Sequence, residues 1–571
     1  MRSMVLGLCV AAALPAIGGA QQDSTASRQS LPADVRFQVV TRWNGPNVVR
    51  GAGRIEIEAG REVAGNVAVS GGPLVVAGHV TGSVLALNAD VTLRPSARID
   101  GELLIVGGGL DGLALARVAG PVRVYRSPLS YREEGDRIVA VADSARDSES
   151  WWRRLERRHT GNRTEALRVV EAGPYNRVEG LPIGLGPVAH RLVPWGSFDL
   201  EAAAVVRTGT SFNSEQGDVG HKLRGEVRFG DERGIGVGGR MYSVVDPVEA
   251  WQLTNLETAL ASFLFRRDYR DYFLRHGTSG YITLYGARNL SLTGTYGAER
   301  WSSRETRNAF TIFNSDDPWR LNPAVDEGVF HLTTIALAWD TRTDPLDPWS
   351  GWLINADIEH GRGSIDVPAP TADSSTVGRT GSTAYLRGFF DVRRYNRLGP
   401  DAQLNLRVVL GGRLNGDPLP LERRLSVDGP GVLPGFDFRS SRGGLDVGTC
   451  STGTLALGVA AECERIALGQ IEYRGDLHLG ITDNLEDYLR QYLSAHGGIA
   501  WVLFADAGRG WLLGPRGGGL TYGSTTLPPL STFRSDLGLG IDLAGIGVYA
   551  AKSVSTPSQP VNFIVRLRHR F

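Results

Sequence analysis

The chain has 571 residues, and its 61 basic and 61 acidic side chains leave no formal net charge. This balance disfavours nucleic-acid binding as a role of the whole chain. Seventy-four glycines against three methionines favour strands and turns over helices. No apolar run after the N-terminus reaches the roughly 18 residues of a transmembrane helix, so any crossing of a membrane must be made by strands.

The N-terminal sequence MRSMVLGLCVAAALPAIGGA has a basic residue, an apolar core and small residues at its end. This pattern predicts a secretory signal peptide over residues 1–20, cleaved after Ala20. A leader rich in serine and glutamine follows, and we assign residues 21–52 to it. The mature protein is therefore expected outside the cytoplasm.

Beyond the signal peptide the chain has two cysteines, Cys450 and Cys463. An even pair in an exported protein predicts a disulfide, which closes a loop of about 14 residues and contributes roughly 3 kcal/mol. Two free thiols are the alternative. Two cysteines without a nearby pair of histidines argue against zinc, and we predict no metal site and no cofactor.

Residues 53–142 contain short apolar triplets separated by glycine. AGNVAV from Ala64, TGSVLA from Thr81 and DGELLI from Asp100 are offset by 17 and 19 residues. Each repeat is too small to bury a core alone, so the repeats must stack. The segment resembles the parallel β-helix of bactofilin-like, polymer-forming domains. We predict a small periplasmic β-solenoid that acts as a spacer or cap, with filament formation as the alternative.

Residues 143–174 are strongly charged and include the sequence SESWWRRLERRHTGNRTEALR. Trp151 and Trp152, with the arginines around them, fit a short amphipathic helix at a membrane interface, where Trp and Arg act as anchors. They fit a solvated linker equally well, and both interpretations stay open.

From residue 175 to residue 571 the sequence alternates between apolar and polar residues with the period of a β-strand. The last strand places on one side Val561, Phe563, Val565, Leu567 and Phe571, and on the other side Asn562, Arg566, Arg568 and Arg570. With its terminal aromatic Phe571 it resembles the closing strand of outer-membrane barrels. Every polar face carries charge, which a water-filled lumen tolerates and a packed sandwich core does not. The predicted fold is all-β, a transmembrane antiparallel β-barrel after a small parallel β-helix.

Fifteen barrel segments can be assigned from the sequence, whereas bacterial single-chain barrels have an even number of strands. About sixteen strands are therefore predicted, with the missing one near Tyr175. If the chain ends on the periplasmic side, Asp340–Trp349 is a periplasmic turn and Asn415–Glu464 is an extracellular loop. Val248–Arg275 is then also extracellular, and its apolar spacing of three and four predicts a helix on the rim.

The segment ALAWDTRTDPLDPWSGWLINADIEHG, residues 336–361, resembles a turn signature of the bacterial surface antigen superfamily of outer-membrane barrels. This superfamily includes the barrel-assembly insertase and the two-partner secretion transporters. In this turn Asp340 and Arg342 can form a salt bridge, the two prolines stiffen the backbone, and the glycine restarts the strand. The residues of the turn motif are Asp340, Arg342, Asp344, Pro345, Pro348 and Gly351. Further motifs follow in family order: FFDVRRYNRLG from Phe389, RRLSVDGPGVLPGF from Arg423, ALGQIEYRGDL from Ala467, FADAG from Phe504 and GLGIDLAGIGVYAAKS from Gly538.

The resemblance implies a long loop that folds into the lumen and presents an arginine, before Gly-Phe or Gly-Tyr, to inward acids. In this chain the loop motif is Val432, Leu433, Pro434, Gly435 and Phe436, so a proline replaces the arginine. The acids persist, since Asp506 matches the family's Asp and Glu472 faces inward on the adjoining strand. A lumen carboxylate without a cation is costly, and we hypothesise that Arg439 or Arg474 compensates. The alternative is that both acids are solvated.

The periplasmic polypeptide-transport repeats usual in the superfamily have no counterpart before Tyr175. We expect a barrel that moves or inserts a macromolecule, protein or lipid, at the bacterial outer membrane. The alternatives are a passive diffusion channel and a structural anchor that ties a polymerising solenoid to the membrane. No motif favours an enzyme. The expected partners are outer-membrane lipid, the barrel-assembly machinery for the protein's own insertion, and a periplasmic protein or lipid client held by the solenoid, with no nucleic acid.

Overall fold

A computed structural model of the chain contains a parallel β-solenoid followed by an antiparallel β-barrel sheet. It describes residues 33–45, 48–113, 116–125, 129, 131–134, 137–140, 163–171, 173–209, 219–230, 233–286, 289–314, 317–342, 348, 350–369, 380–399, 402–439, 446–451, 460–476, 499–513, 521–522, 527–543, 546–567 and 570–571. The predicted signal peptide, and Trp151 and Trp152 of the predicted linker, lie outside these residues.

The N-terminal unit begins with helix α1 (Ala33–Trp43) and continues with short strands: β1 (Val48–Ala52), β2 (Ile55–Ile57), β3 (Glu62–Val63), β4 (Asn66–Ser70), β5 (Leu74–Val76), β6 (His79–Val80), β7 (Val84–Leu87), β8 (Val91–Leu93), β9 (Arg98–Ile99), β10 (Leu103–Val106), β11 (Leu110–Asp111), β12 (Arg117–Val118), β13 (Val122–Tyr125), β14 (Tyr131–Glu134) and β15 (Arg137–Ala140). Every third strand stacks in parallel, so β1 to β13 form three sheets. Val67 lies opposite Val84, which lies opposite Leu103. These positions belong to the repeats seen in the sequence, and the predicted solenoid is confirmed.

The solenoid has an apolar axis. Val69, Ala86 and Ile105 stack above one another in consecutive turns, and all three are fully buried. Alternate residues of the same strands point outward and are also apolar, which is unfavourable in water. These outward residues require a cover, and a second cluster of buried residues supplies it.

One outer face of the solenoid is covered by α1 and the β14–β15 hairpin. Val39 of α1 and Ile138 of β15 pack in one cluster with Leu85 and Leu104, which point outward from their strands. The helix and β1 both fall within residues 21–52, which the sequence analysis assigned to a leader. Most of that segment is thus part of the folded unit, because the apolar outer face of the sheet needs it.

The barrel sheet contains seventeen strands: β16 (Arg163–Glu171), β17 (Pro182–Val193), β18 (Gly196–Arg207), β19 (Val219–Phe229), β20 (Gly234–Pro247), β21 (Tyr272–Tyr285), β22 (Leu290–Ser303), β23 (Glu327–Asp340), β24 (Gly351–Val367), β25 (Gly381–Arg397), β26 (Ala402–Gly416), β27 (Arg465–Asp476), β28 (Ile499–Leu513), β29 (Thr521–Tyr522), β30 (Arg534–Leu543), β31 (Ile546–Ser553) and β32 (Asn562–Leu567). The two-residue β29 runs parallel to β28, and β28 pairs antiparallel with β30. Without β29, sixteen antiparallel strands form the wall, which is the number predicted.

The strand that the sequence analysis missed is β16. It lies near Tyr175, as expected, but within the segment assigned to the charged linker, so the barrel sheet starts before residue 175. A register shift between Glu165 and Arg168 interrupts its alternation, and its charged residues resemble those of the linker. The strand expected over Tyr175–Gly186 is instead a turn at residues 173–181 followed by β17.

The two faces of the barrel sheet have opposite chemistry. On the outer face the apolar side chains of Ile282, Ile335 and Leu539 are 54%, 57% and 61% exposed. On the inner face the charged side chains of Asp391 and Arg407 are buried and form an ion pair. Apolar residues facing out and charged residues facing in are typical of a barrel with lipid outside it.

The even strand count places the start of β16 and the end of β32 at the same end of the barrel, which we call the terminal end. The strand ends that flank the predicted turn Asp340–Trp349 lie at the terminal end, and those that flank the predicted loop Asn415–Glu464 lie at the opposite end, in the predicted alternation. The opposite-end connections are long, and they contain helix α2 (Asn255–Phe265) and 3₁₀ turns at Leu421–Arg423 and Leu530–Thr532. Among the described residues, no helix has the length and apolar character needed to cross a membrane.

Candidate functional site in the barrel lumen

The long loop between β26 and β27 folds into the barrel. Val432 and Leu433 of the loop motif are fully buried, in a cluster with Val409 and Leu468 of the flanking strands. The side-chain amide of Gln470, which also faces inward, donates a hydrogen bond to the Val432 carbonyl at 3.0 Å. The loop motif therefore lies against the inner wall and is not splayed outward.

The same motif reaches the last strands of the sheet through its backbone. The Gly435 N–H donates to Oδ2 of Asp536 on β30 at 2.6 Å, and the Pro434 carbonyl accepts from Nδ2 of Asn562 on β32 at 3.1 Å. A Cβ on Gly435 would lie 2.8 Å from the backbone nitrogen of Ser553, so a side chain cannot fit there without displacement. Pro434, at the position of the family's arginine, contributes only its carbonyl.

The two lumen acids singled out in the sequence both have cationic partners. Glu472 lies 3.3 Å from Arg474, which also pairs with Asp542 on β30. Asp506 forms a buried ion pair with Arg570, a residue that the sequence analysis did not consider as its partner. Glu472 is thus paired within its own strand, and Asp506 is paired with the C-terminal tail.

Arg570 reaches Asp506 because the C-terminal tail turns into the lumen. Strand β32 ends four residues before the C-terminus, and both Arg570 and Phe571 are buried. The alternation of the last strand predicted Phe571 on the apolar outer side together with Phe563. That prediction is wrong, because the ion pair of Arg570 with Asp506 draws the tail out of the plane of the sheet. Asp506 lies opposite Asp536 in the β28–β30 ladder, so the tail and the loop motif meet at one point of the wall.

Arg439 has a different role from the one hypothesised. Its guanidinium lies 3.3 Å from Asp271 and 3.5 Å from Glu249, and its backbone N–H donates to Asp428 at 2.9 Å. Of the two arginines proposed to compensate the lumen acids, the structure brings Arg474 to Glu472 but pairs Arg439 with acids of other connections. The backbone of Arg439 has a φ of 49°, a strained value for a residue with a side chain.

Five charged residues form a polar knot that joins four opposite-end connections: Arg177, Asp268, Asp271, Arg320 and Arg439. Arg177 lies 3.1 Å from both aspartates, and Arg320 lies 2.6 Å from Asp271. Burial alone raises the pKa of Asp271, but the surrounding guanidiniums outweigh burial and hold that pKa below its usual value. These contacts join residues about 50 to 170 positions apart, and the sequence analysis found only Arg439 among them.

Helix α2 connects the lumen to the last strand. Thr254 and Glu257 form a capping box at its start, and Glu257 also accepts from Arg566 at 2.6 Å and from the Leu567 N–H at 3.0 Å. Burial favours a raised pKa for Glu257, but Arg566 and Thr254 keep it below its usual value. The apolar spacing predicted this helix on the rim, whereas the carboxylate of Glu257 holds it against β32.

The turn motif that carries the family resemblance lies at the terminal end. Arg342 bonds Asp340 with two side-chain nitrogens, at 2.9 and 2.8 Å, as expected for a bridge within the turn. Gly351 restarts the strand with a φ of 117°, which favours glycine, and the Pro348 carbonyl accepts from Gln403 at 2.6 Å. Asp344 and Pro345 lie outside the described residues.

Cys450 and Cys463 are bonded to each other, which confirms the predicted disulfide. Both cysteines are buried beside Leu425 and Val427, in the cluster that also contains Val432 and Leu433. The disulfide therefore fastens the part of the β26–β27 loop that returns to the wall.

We call the segments inside the lumen the plug: helix α2, loop residues 421–439 and tail residues 570–571. Buried ion pairs join the plug to the wall: Glu257 pairs with Arg566, and Arg570 pairs with Asp506. Within the part of the chain that the structure describes, no group of three or more metal-ligating side chains comes together. Fold and site together define an outer-membrane-type β-barrel whose own connections fill its lumen.

No family model matches the chain, and no curated protein sequence matches it. Among solved structures the chain is similar to BamA from Haemophilus ducreyi lacking POTRA domains 1-3, at 12% identity and a TM-score of 0.41, over 72% of this chain and 70% of that one. It is also similar to CdiB from Acinetobacter baumannii and from Escherichia coli, at 9% and 11% identity and TM-scores of 0.30 and 0.31. These matches cover 71% and 77% of this chain but 64% and 66% of the CdiB chains, which is less than two thirds of their length. The barrel assignment rests on the strand pairing described above.

Proposed function

We propose that the protein moves or inserts a macromolecule, protein or lipid, at the bacterial outer membrane, with its solenoid and terminal end in the periplasm. The plug closes the lumen at rest, and the wall opens at the seam, the edge where β16 faces β32. One observation carries this proposal. Among the described residues β16 and β32 share no backbone ladder, whereas all other neighbouring strands of the wall are paired.

The filled lumen disfavours the passive channel. Charges that would line a water-filled path are bound to the plug instead: Arg566 to Glu257, and Asp506 to Arg570. Diffusion of ions or small solutes would first require the plug to leave. A pure anchor, the third candidate, needs neither a seam nor a plug.

The arrangement couples the plug to the seam. Glu257 of α2 bonds both the side chain of Arg566 and the backbone of Leu567, which lie on the strand that forms one side of the seam. Pro434 of the loop motif bonds Asn562 at the other end of that strand. Movement of the plug therefore changes how firmly β32 is held.

The test uses the full chain in liposomes with two probes, a urea-unfolded eight-stranded barrel protein and a fluorescent phospholipid. A cysteine scanned along β16 (Arg163–Glu171) is joined to a cysteine at the exposed Val565 of β32 by a short bismaleimide, and the position that reacts gives the seam cross-link. The matched control joins cysteines at Ile541 and Val548, which lie opposite each other in the β30–β31 ladder and face outward.

We expect the protein to accelerate folding of the barrel probe or transfer of the lipid probe. The seam cross-link abolishes this acceleration, and the control cross-link leaves it unchanged. Steady single-channel conductance in planar bilayers without acceleration of either probe would contradict the proposal and identify a passive channel. If the protein shows no conductance and accelerates neither probe, it is a structural anchor.

A further inference from the structure

The outer wall of the barrel carries a band of basic side chains on β19 to β24. Its members are His221, His276, Arg300, His331, His360 and Arg362. Ladder pairs connect neighbours in the band: His276 lies opposite Arg300, and His331 lies opposite Arg362. His221 lies opposite Ser243, which in turn lies opposite His276.

The band faces outward, toward lipid. His276 shares its strand face with Ile282, Arg300 shares its face with Tyr296, and Arg362 shares its face with Ile358, and all three of these reference residues are exposed. Arg300, His331 and Arg362 are themselves exposed. No position of the band is acidic; Asp366, the outward acid on β24, lies four residues beyond Arg362 and bonds Ser364.

The depth of the band can be measured from the aromatic residues near the terminal end. Trp195, Phe229 and Trp352 are exposed there, and Trp195 stacks on Phe229. Phe229 is the last residue of β19, and eight positions separate it from His221; ten positions separate Trp352 from Arg362. At about 3.4 Å per residue and a strand tilt of about 35–45°, the band lies roughly 20–28 Å from the aromatic residues. This distance matches the apolar band of outer-membrane barrels, about 25 Å tall, so the basic residues lie at the other membrane interface.

We propose that this band binds the phosphate groups of a phosphorylated glycolipid in the outer leaflet. The assignment of the leaflet rests on the orientation given under the proposed function; the outward position and charge of the band do not. Guanidinium groups bind phosphate through paired N–H donors, and exposed histidines add further donors. The ring of Tyr296 stacks on His331 at 6.4 Å between centroids and holds that imidazole at the surface.

The surface beside the band fits the acyl chains of a lipid. Ile282, Ile335 and Ile358 lie on the same strands, toward the terminal end, and are exposed and apolar. A ligand that covers both regions must have an anionic head and apolar tails, which a free phosphate ion lacks. On the other side of the wall the outward residues Leu537 and Phe563 are apolar, and Lys552, opposite Leu537, donates to the backbone carbonyls of Pro557 and Gln559.

The test titrates the detergent-solubilised full chain with diphosphoryl lipid A and counts bound lipid by native mass spectrometry. Arg300→Gln/Arg362→Gln weakens binding about 25-fold, about fivefold for each arginine; this factor is the roughly 1 kcal/mol per interfacial Lys or Arg, converted at 1.4 kcal/mol per tenfold. Arg300→Lys/Arg362→Lys keeps the charge and stays within about fivefold of the parent. The matched control Arg394→Gln removes an outward arginine at the aromatic interface, where it stacks over Trp352, and leaves binding unchanged.

Each variant is first checked for heat-modifiable gel mobility, which reports a folded barrel. Unchanged lipid A binding in the folded double glutamine variant would overturn the proposal, and so would an equal loss in Arg394→Gln. Equal binding of phosphatidylglycerol would show that the band accepts any anionic lipid. Competition by inorganic phosphate at equal concentration would show that it binds a free anion. Either result overturns the assignment to a glycolipid. Because the assay measures binding alone, its outcome is independent of the insertion and transfer assays above.

Discussion

The solenoid and the barrel turn opposite kinds of side chain toward their axes. In the solenoid the apolar residues Val69 and Ile105 face the axis, because water surrounds the unit. In the barrel charged residues face the axis and form local ion pairs, as for Asp391, which lies 2.7 Å from both Arg393 and Arg407. The same two-residue period thus serves both units, and the surrounding solvent decides which face turns inward.

The comparison predicts that one substitution has unequal effects in the two interiors. Leu103→Asp places an unpaired carboxylate on the dry axis of the solenoid and removes a buried leucine, which together cost about 5 kcal/mol or more. Thr295→Asp places the same group on the half-buried inner face of β22, opposite Tyr281 and Thr334, where we expect about 1 kcal/mol or less. Limited proteolysis and thermal unfolding of the full chain measure both. Equal sensitivity of the two interiors would refute the comparison.

Breaking a buried ion pair inside the barrel is expected to be as costly as in any other buried site. Glu257→Gln retains a capping side chain for α2 but leaves Arg566 without its carboxylate, which costs about 3–5 kcal/mol. Glu257→Gln/Arg566→Gln removes both charges and recovers part of this loss. Urea unfolding of the reconstituted protein measures the cycle. Additive losses in the double variant would mean that the two side chains do not stabilise each other.

The close approach of the loop motif to the wall gives a smaller effect. Gly435→Ala introduces a Cβ against the backbone of Ser553 and the side chain of Asp536, and we expect a loss of about 1–3 kcal/mol together with easier proteolysis of the loop. Gly399→Ala is the matched control, because a Cβ there meets open space and costs about 0.5 kcal/mol or less. If both variants unfold alike, the loop motif does not pack as described.

The sequence was sufficient for the features that depend on local periodicity. Repeats near Val67, Val84 and Leu103 predicted the stacked turns, and alternating residues with an even count predicted sixteen strands. It was insufficient where a contact joins distant residues. Arg570 and Asp506 are 64 positions apart, and both fit a solvated inner face equally well when read alone.

The same limit applies to elements whose chemistry differs from their neighbours. Strand β16 carries charges and a register shift, so its alternation is weaker than that of the wall it begins. Helix α2 has the apolar spacing of a surface helix, but the ion pair from Glu257 to Arg566, 309 positions away, sets its place in the lumen. Such placements follow from the pairing of buried charges, which a single sequence does not encode locally.

The charged interior of the barrel and the apolar interior of the solenoid are expected to respond differently to pH. The pKa values of Asp271 and Glu257 lie below their ordinary values of 3.8 and 4.5, so their ionised forms stabilise the plug. This stabilisation is complete above the ordinary values and is lost as the pH falls through the lowered ones. Burial raises the pKa of Glu249 although Arg439 lowers it. Because this shift is opposite in direction to those of Asp271 and Glu257, protonation of Glu249 does not weaken the plug in acid. Conductance in planar bilayers should therefore be absent at pH 7 and pH 5 and appear only below about pH 4, with the solenoid still folded. Asp271→Asn should show openings at neutral pH, and conductance of the parent protein at pH 5 would show that these two carboxylates do not hold the plug.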